Sequence, residues 1–128
     1  MSKYLESQAQ ELVVTFLHRF YSQALFTGGL AGENLHKGYV PRRGRVSPGA
    51  RRKMMGYKAG TPDLLIFEPR KGSVGLAIEM KAPRAGVVSP EQAAFLEALR
   101  ARNWTTAVCH GSAEAKTVII AYFSEDKK

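Results

Sequence analysis

Asp63, Glu79 and Lys81 stand among residues that favour burial. In GTPDLLIFEPRKGSVGLAIEMKAP, residues 60–83, two apolar runs separated by a turn read as neighbouring strands, DLLIF and VGLAIEMKA. Ionised groups are costly inside a core unless they are paired, hydrogen-bonded or bound to a metal. The two-residue period of a strand puts Leu76, Ile78 and Met80 on one face and Ala77, Glu79 and Lys81 on the other. Glutamate and lysine therefore share a side, with Asp63 at the start of the adjoining strand. Clustered carboxylates repel or hold protons unless a cation sits among them. Carboxylate oxygens, a backbone carbonyl such as that of Met80, and waters make the ligand set that magnesium or manganese prefers. Such an ion lowers the pKa of a water and neutralises charge growing on a phosphoryl oxygen, and Lys81 would position or help deprotonate that water. These are parts for hydrolysing a phosphodiester.

Each part also has a plainer reading. Asp63 after Pro62 is a common turn residue, and Glu79 with Lys81 could be an ordinary ion pair on a sheet face. What argues against coincidence is convergence from several elements. A first helix is expected from Ser2, as N-cap, to about Ala24, because Leu5, Ala9, Leu12, Val13, Phe16, Leu17, Phe20 and Ala24 recur at helical spacing. Glu11 and His18 fall on its wet side, but Glu6 falls within the apolar sector and Gln10 at its margin. Glu6 is thus a third acid aimed at the core, or an acid placed at a helix start by the macrodipole. SPEQAAFLEALRARN reads as a second long helix, with Ser89 as cap, Pro90 in the first position and Gln92 completing a capping box. Gln92 projects on the side of Phe95, Leu96 and Leu99, so it can do more than cap.

WTTAVCH reads as a further strand and SAEAKTVIIAYF as a closing helix capped by Ser112. The expected order is helix, basic insertion, strand, strand, helix, strand, helix: an α/β fold with a small mixed central sheet flanked by helices (α-β-β-α-β-α). The 128 residues suit one domain. A basic insertion covers about 28–58. From Thr27 to Tyr57 a loop or loose hairpin is expected, followed by a short helix over Gly49 to Met55.

That insertion carries the charge. The chain has a formal net charge of +8. No acid occurs between Glu33 and Asp63, whereas Lys37, Arg42, Arg43, Arg45, Arg51, Arg52, Lys53 and Lys58 supply eight positive charges, equal to the whole excess. Such a block suits a phosphate backbone, because each neutralised phosphate releases a counterion; a solvated basic loop is the bland alternative. One cysteine, Cys109, excludes an intramolecular disulfide, and three scattered histidines offer no zinc spacing. The N-terminus is charged where a signal peptide is apolar, and no apolar run approaches the roughly eighteen residues of a membrane span. A soluble, cytoplasmic protein is expected.

GTPDLLIF followed by GLAIEMK resembles the PD-(D/E)XK nuclease signature, here Pro62-Asp63 and Glu79-Met80-Lys81. More narrowly the chain resembles the VRR-NUC family, the virus-type replication-repair nucleases. Glu6 and Gln10 match the family's opening helix, and GTPDLL, GLAIEMK, SPEQ and AVCHGSAEAKTVIIAY match its later segments, over nearly the whole chain. The resemblance implies a restriction-endonuclease-like core and a magnesium- or manganese-dependent endonuclease acting on DNA in replication, recombination or repair. It further implies a minimal nuclease, of a kind often phage-encoded, working as a homodimer on branched DNA such as four-way junctions. Carried over, Glu6, Asp63 and Glu79 would be metal ligands, Met80 would give its carbonyl, Lys81 would be catalytic and Gln92 would support the site. The family's NGG.R element is replaced here by HKGYVPRRGRVSPG. The reading from another class is a non-catalytic basic nucleic-acid-binding protein whose acids only pair with its arginines.

Overall fold

The computed structural model describes residues 2–29 and 47–124. Lys37, Arg42, Arg43 and Arg45, with most of the expected loop or hairpin, lie outside the described residues.

The apolar periodicity of the first segment produces α1, Ser2–Phe20. Ala9, Val13 and Leu17, spaced four apart, are buried, while Leu5, Leu12 and Phe20 stay exposed. The buried stripe is therefore narrower than the sequence suggests. The helix also ends four residues before Ala24. Tyr21 N still bonds Leu17 O at 2.8 Å, but Ala24 N then turns back onto Tyr21 O. The Tyr21 ring stacks on Phe123 with centroids 4.6 Å apart, so aromatic packing replaces a further helical turn. This turn leads into a strand absent from the sequence reading, β1, Phe26–Gly28. Three residues are too few for a readable alternation.

Pro48–Met54 forms α2, capped by Ser47, whose side chain accepts from Ala50 N at 3.1 Å; none of its residues is buried. β2 is Leu64–Ile66 and β3 Leu76–Lys81. Phe67, expected in β2, lies beyond its end and packs edge-on against Trp104. α3, Pro90–Arg100, crosses over to β4, Thr105–His110, and α4, Ser112–Phe123, closes the chain. Sheet order is β1-β2-β3-β4, antiparallel except for the β3–β4 pair that α3 connects.

All six β3 residues are buried. Leu76, Ile78 and Met80 join Val13, Leu17 and Ile119 in the core between sheet and helices α1 and α4, while Glu79 and Lys81 face α3 through Gln92. The alternation read from sequence thus holds, but both faces are covered, as a strand in a parallel pair with a crossover helix requires. The expected small mixed central sheet flanked by helices is observed, with β1 added and with α2 close to the short helix expected over Gly49 to Met55. Ser112 is not the cap of α4. Gly111 holds that position without a side-chain cap bond, its N–H bonding Lys81 O at 3.1 Å, and the Glu114 carboxylate accepts from His110 N instead.

Candidate active site

The site lies where β3 runs past the start of β2. Leu64 pairs with Ile78, so Met80, two residues on, directs its backbone beyond the end of the ladder. Asp63 fills that gap: its Oδ2 accepts from Met80 N at 2.7 Å. Because N–H and C=O of one residue point to the same edge of a strand, the Met80 carbonyl is directed to the same side. The Asp63 backbone is fixed in turn, its carbonyl accepting from Gly29 N at 2.9 Å and from Gln10 Nε2 at 3.1 Å. Upstream, Thr61 Oγ1 donates to Lys58 O, and Gly60 holds φ +88° where a Cβ would run into the Glu91 carbonyl of α3. The approach to Asp63 is therefore pressed against the start of the helix that carries Gln92.

Glu79 is 2% exposed. Its Oε2 accepts from Gln92 Nε2 at 3.0 Å and lies 3.5 Å from Lys81 Nζ, while the buried Oε1 has no hydrogen-bond partner. Burial pushes the Glu79 carboxyl up to about 8; the neighbouring Asp63 carboxylate adds to the rise, and Lys81 opposes it. The buried Glu79 carboxyl thus favours its protonated form.

Gln92 links the parts. Its Oε1 accepts from Lys81 Nζ at 2.8 Å and from Ser89 N at 2.9 Å, while its Nε2 donates to Glu79. Amide oxygen to donors and amide nitrogen to carboxylate is the one orientation that satisfies all three neighbours. The capping box read from sequence is present, with Ser89 Oγ accepting from Gln92 N at 3.1 Å, and the same side chain joins Glu79 and Lys81.

Glu6 is not brought into this group. It is half-buried on α1, and among the described residues no three of the His, Cys, Asp and Glu side chains gather to hold one ion. Gln10, four residues or about 6 Å further along the helix, makes the contact with the Asp63 segment. Its position four residues after Glu6, matched to the family's opening helix, is the signal that marks it, although the sequence reading does not place it among the site residues. Of the basic residues, Arg51, Arg52 and Lys53 lie on α2, and Lys58 precedes the Asp63 segment. A groove of about 570 Å³ beside α3, lined mainly by Ala94, Phe95, Ala98 and Leu99 with Lys58, Glu91 and Arg102, includes neither Asp63 nor Glu79.

A divalent cation fits the donor chemistry of Asp63 and Glu79. It would give the orphaned Glu79 Oε1 a partner and displace the proton that burial favours on Glu79. Two carboxylates and a carbonyl match a small hard ion and offer no soft donor.

The VRR-NUC domain profile matches residues 6–113. No curated protein matches the sequence. A solved structure described as a VRR_NUC domain protein is similar over 93% of this chain and 88% of its own, with a TM-score of 0.70 and 25% identity. The chain therefore belongs to the VRR-NUC family and carries a nuclease-type fold, which implies nucleic acid as substrate and, in general, the use of a divalent metal.

Proposed function

We propose that this chain is a magnesium- or manganese-dependent endonuclease that hydrolyses phosphodiester bonds of branched or junction DNA. The observation that carries the metal dependence is the buried, unpartnered Glu79 Oε1 beside Asp63. Asp63, Glu79 and the Met80 carbonyl would hold the ion; Glu6 is assigned as a further ligand by the family resemblance alone. When bound, the ion supplies charge neutralisation at the phosphate and a more acidic water.

The remaining roles belong to the chain. Gln92 locks the Lys81 ammonium beside Glu79, so the lysine needs no reorganisation when charge grows on the scissile phosphate. Burial of Glu79 and Lys81 keeps bulk water from screening that charge. The Asp63–Met80 bond fixes one carboxylate to the strand that bears the other residues. Arg51, Arg52, Lys53 and Lys58, together with Lys37, Arg42, Arg43 and Arg45 of the insertion, would hold the backbone, which positions a substrate without reading its bases. Branched-DNA preference and pairing of two copies rest on the resemblance; a two-fold pair is the simplest way for a one-site chain to cut two strands.

The test is a panel of linear, flapped, bubbled and four-way DNA, with an RNA duplex, incubated with magnesium, manganese or chelator. Cutting of branched DNA that needs metal and vanishes in Asp63→Ala and Lys81→Ala supports the reading. Binding without nicking in every condition would leave a non-catalytic nucleic-acid-binding protein.

A further inference from the structure

β4 ends at His110, which the register pairs with Lys81 across the parallel ladder. Paired residues of adjacent strands project to the same face, so His110 stands beside Lys81 on the face that carries Glu79. Its Nε2 lies 3.2 Å from the Gly86 carbonyl oxygen. A carbonyl only accepts, so this bond requires the proton on Nε2. The His110 backbone is held by Glu114, whose Oε1 accepts from His110 N at 3.0 Å.

Gly86 is the point where the following turn touches the lysine. It holds φ +100°, and a Cβ there would lie 3.2 Å from Lys81 Cβ and 3.4 Å from Lys81 Cδ. The turn thus lies on the methylene stem of Lys81. It is fastened at one end by Ala85 N on Ala82 O at 3.3 Å, at the other by Ser89 N on Gln92 Oε1, and in the middle by His110. A lysine stem has many rotamers and a freely rotating head, yet Lys81 is 7% exposed with its amine on Gln92 and Glu79.

We propose that His110 is a positioning residue: by donating its Nε2 proton to Gly86 it presses the turn 82–88 onto the Lys81 stem and so holds the amine in the carboxylate pocket. That the held amine serves catalysis rests on the nuclease reading above; the clamp itself does not. In this role His110 touches neither Asp63 nor Glu79 nor the substrate's reacting atoms; the other ring nitrogen lies 4.0 Å from Glu114 Oε1.

Two measurements separate the clamp from the reading. The first is modification of the native protein by a small amine-reactive reagent, read at Lys81 by mass spectrometry, with protection of the buried Cys109 thiol as the check that the fold persists. The second is kcat and KM on the metal-dependent substrate. His110→Ala should raise Lys81 modification and lower kcat by roughly three- to tenfold, the worth of one hydrogen bond, with KM unchanged. His110→Gln, which can carry an amide donor toward Gly86, should restore both, and Gly86→Ala should mimic the loss. Lys81 protection equal to wild type in His110→Ala, or no recovery in His110→Gln, would overturn the proposal. An inactive wild type whose Lys81 is still unmasked by His110→Ala and covered again by His110→Gln would sink the nuclease reading and leave the clamp standing.

Discussion

Lys81 Nζ sits closer to Gln92 Oε1, at 2.8 Å, than to the Glu79 carboxylate, at 3.5 Å. The lysine is therefore held chiefly by a neutral amide, which orients it without cancelling its charge. Removing that amide should be felt twice. Gln92→Ala leaves Glu79 Oε2, Lys81 Nζ and Ser89 N short of a partner, and each unsatisfied buried group costs about 1–3 kcal/mol. We expect a lower urea midpoint and at least a tenfold loss in kcat. Gln92→Glu places a carboxylate against Glu79 and should lower activity further; activity at the wild-type level in either variant would contradict the role given to Gln92.

Asp63 holds Met80 N, and two substitutions separate this structural role from the chemical one proposed for it. Asp63→Asn keeps an oxygen for Met80 N and removes the charge, so metal-dependent cutting should vanish while stability without metal is kept or increased. Asp63→Ala also removes the Met80 bond and should lose about 1–3 kcal/mol. Calorimetry beside a nicking assay distinguishes them.

Glu79 makes stability depend on pH in a definite sense. Its folded pKa, about 8, is above the ordinary 4.5, so the folded state holds the proton more tightly than the unfolded chain. The contribution is full below about 4.5 and is lost as pH rises through about 8. In chelator, wild type should lose stability relative to Glu79→Gln across that window, by up to a few kcal/mol. Magnesium should stabilise wild type most above the window, where no proton competes for the carboxylate. Parallel unfolding curves for the two proteins across this range would contradict the burial and charge argument.

Two glycines at opposite ends of the sheet should behave differently. A Cβ at Gly75 would lie 2.5 Å from the Trp104 ring and 2.7 Å from Ile66 O, so Gly75→Ala should cost about 1–3 kcal/mol by overpacking and leave kcat of the folded fraction unchanged. Gly60→Ala forces the Asp63 segment off the start of α3 and should lower stability and kcat together. Equal kcat for both variants would show that this segment does not set the site.

Under the proposed function the basic residues serve binding rather than the chemical step. Replacing Arg51 and Lys53 by alanine should weaken DNA binding on all sequences alike and flatten the salt dependence of log K by about 0.9 for each phosphate no longer neutralised. Fluorescence anisotropy over a salt series measures it, and an unchanged slope would remove α2 from the interface.

Some elements were legible because their signal is local. The SPEQ cap and the alternation of β3 each need only neighbouring residues, and both are observed. The early end of α1, strand β1 and the cap of α4 were not. Tyr21 leaves the helix for a ring on α4, Phe26–Gly28 become a strand by pairing with β2, and Gly111 takes the cap position while bonding β3. In each case the deciding partner is distant in the chain.

The same division runs through the site. Sequence by itself determined that Glu79 and Lys81 share a face and that Gln92 begins a helix, since strand and helix periods are properties of a few consecutive residues. Tertiary structure alone decided that Asp63 takes Met80 N, that Gln10 rather than Glu6 meets the Asp63 segment, and that one amide joins both members of the Glu79–Lys81 pair. Those outcomes depend on how strands end and where helices dock. A hydrogen bond is gained or lost within a fraction of an ångström, a distance that no residue spacing encodes.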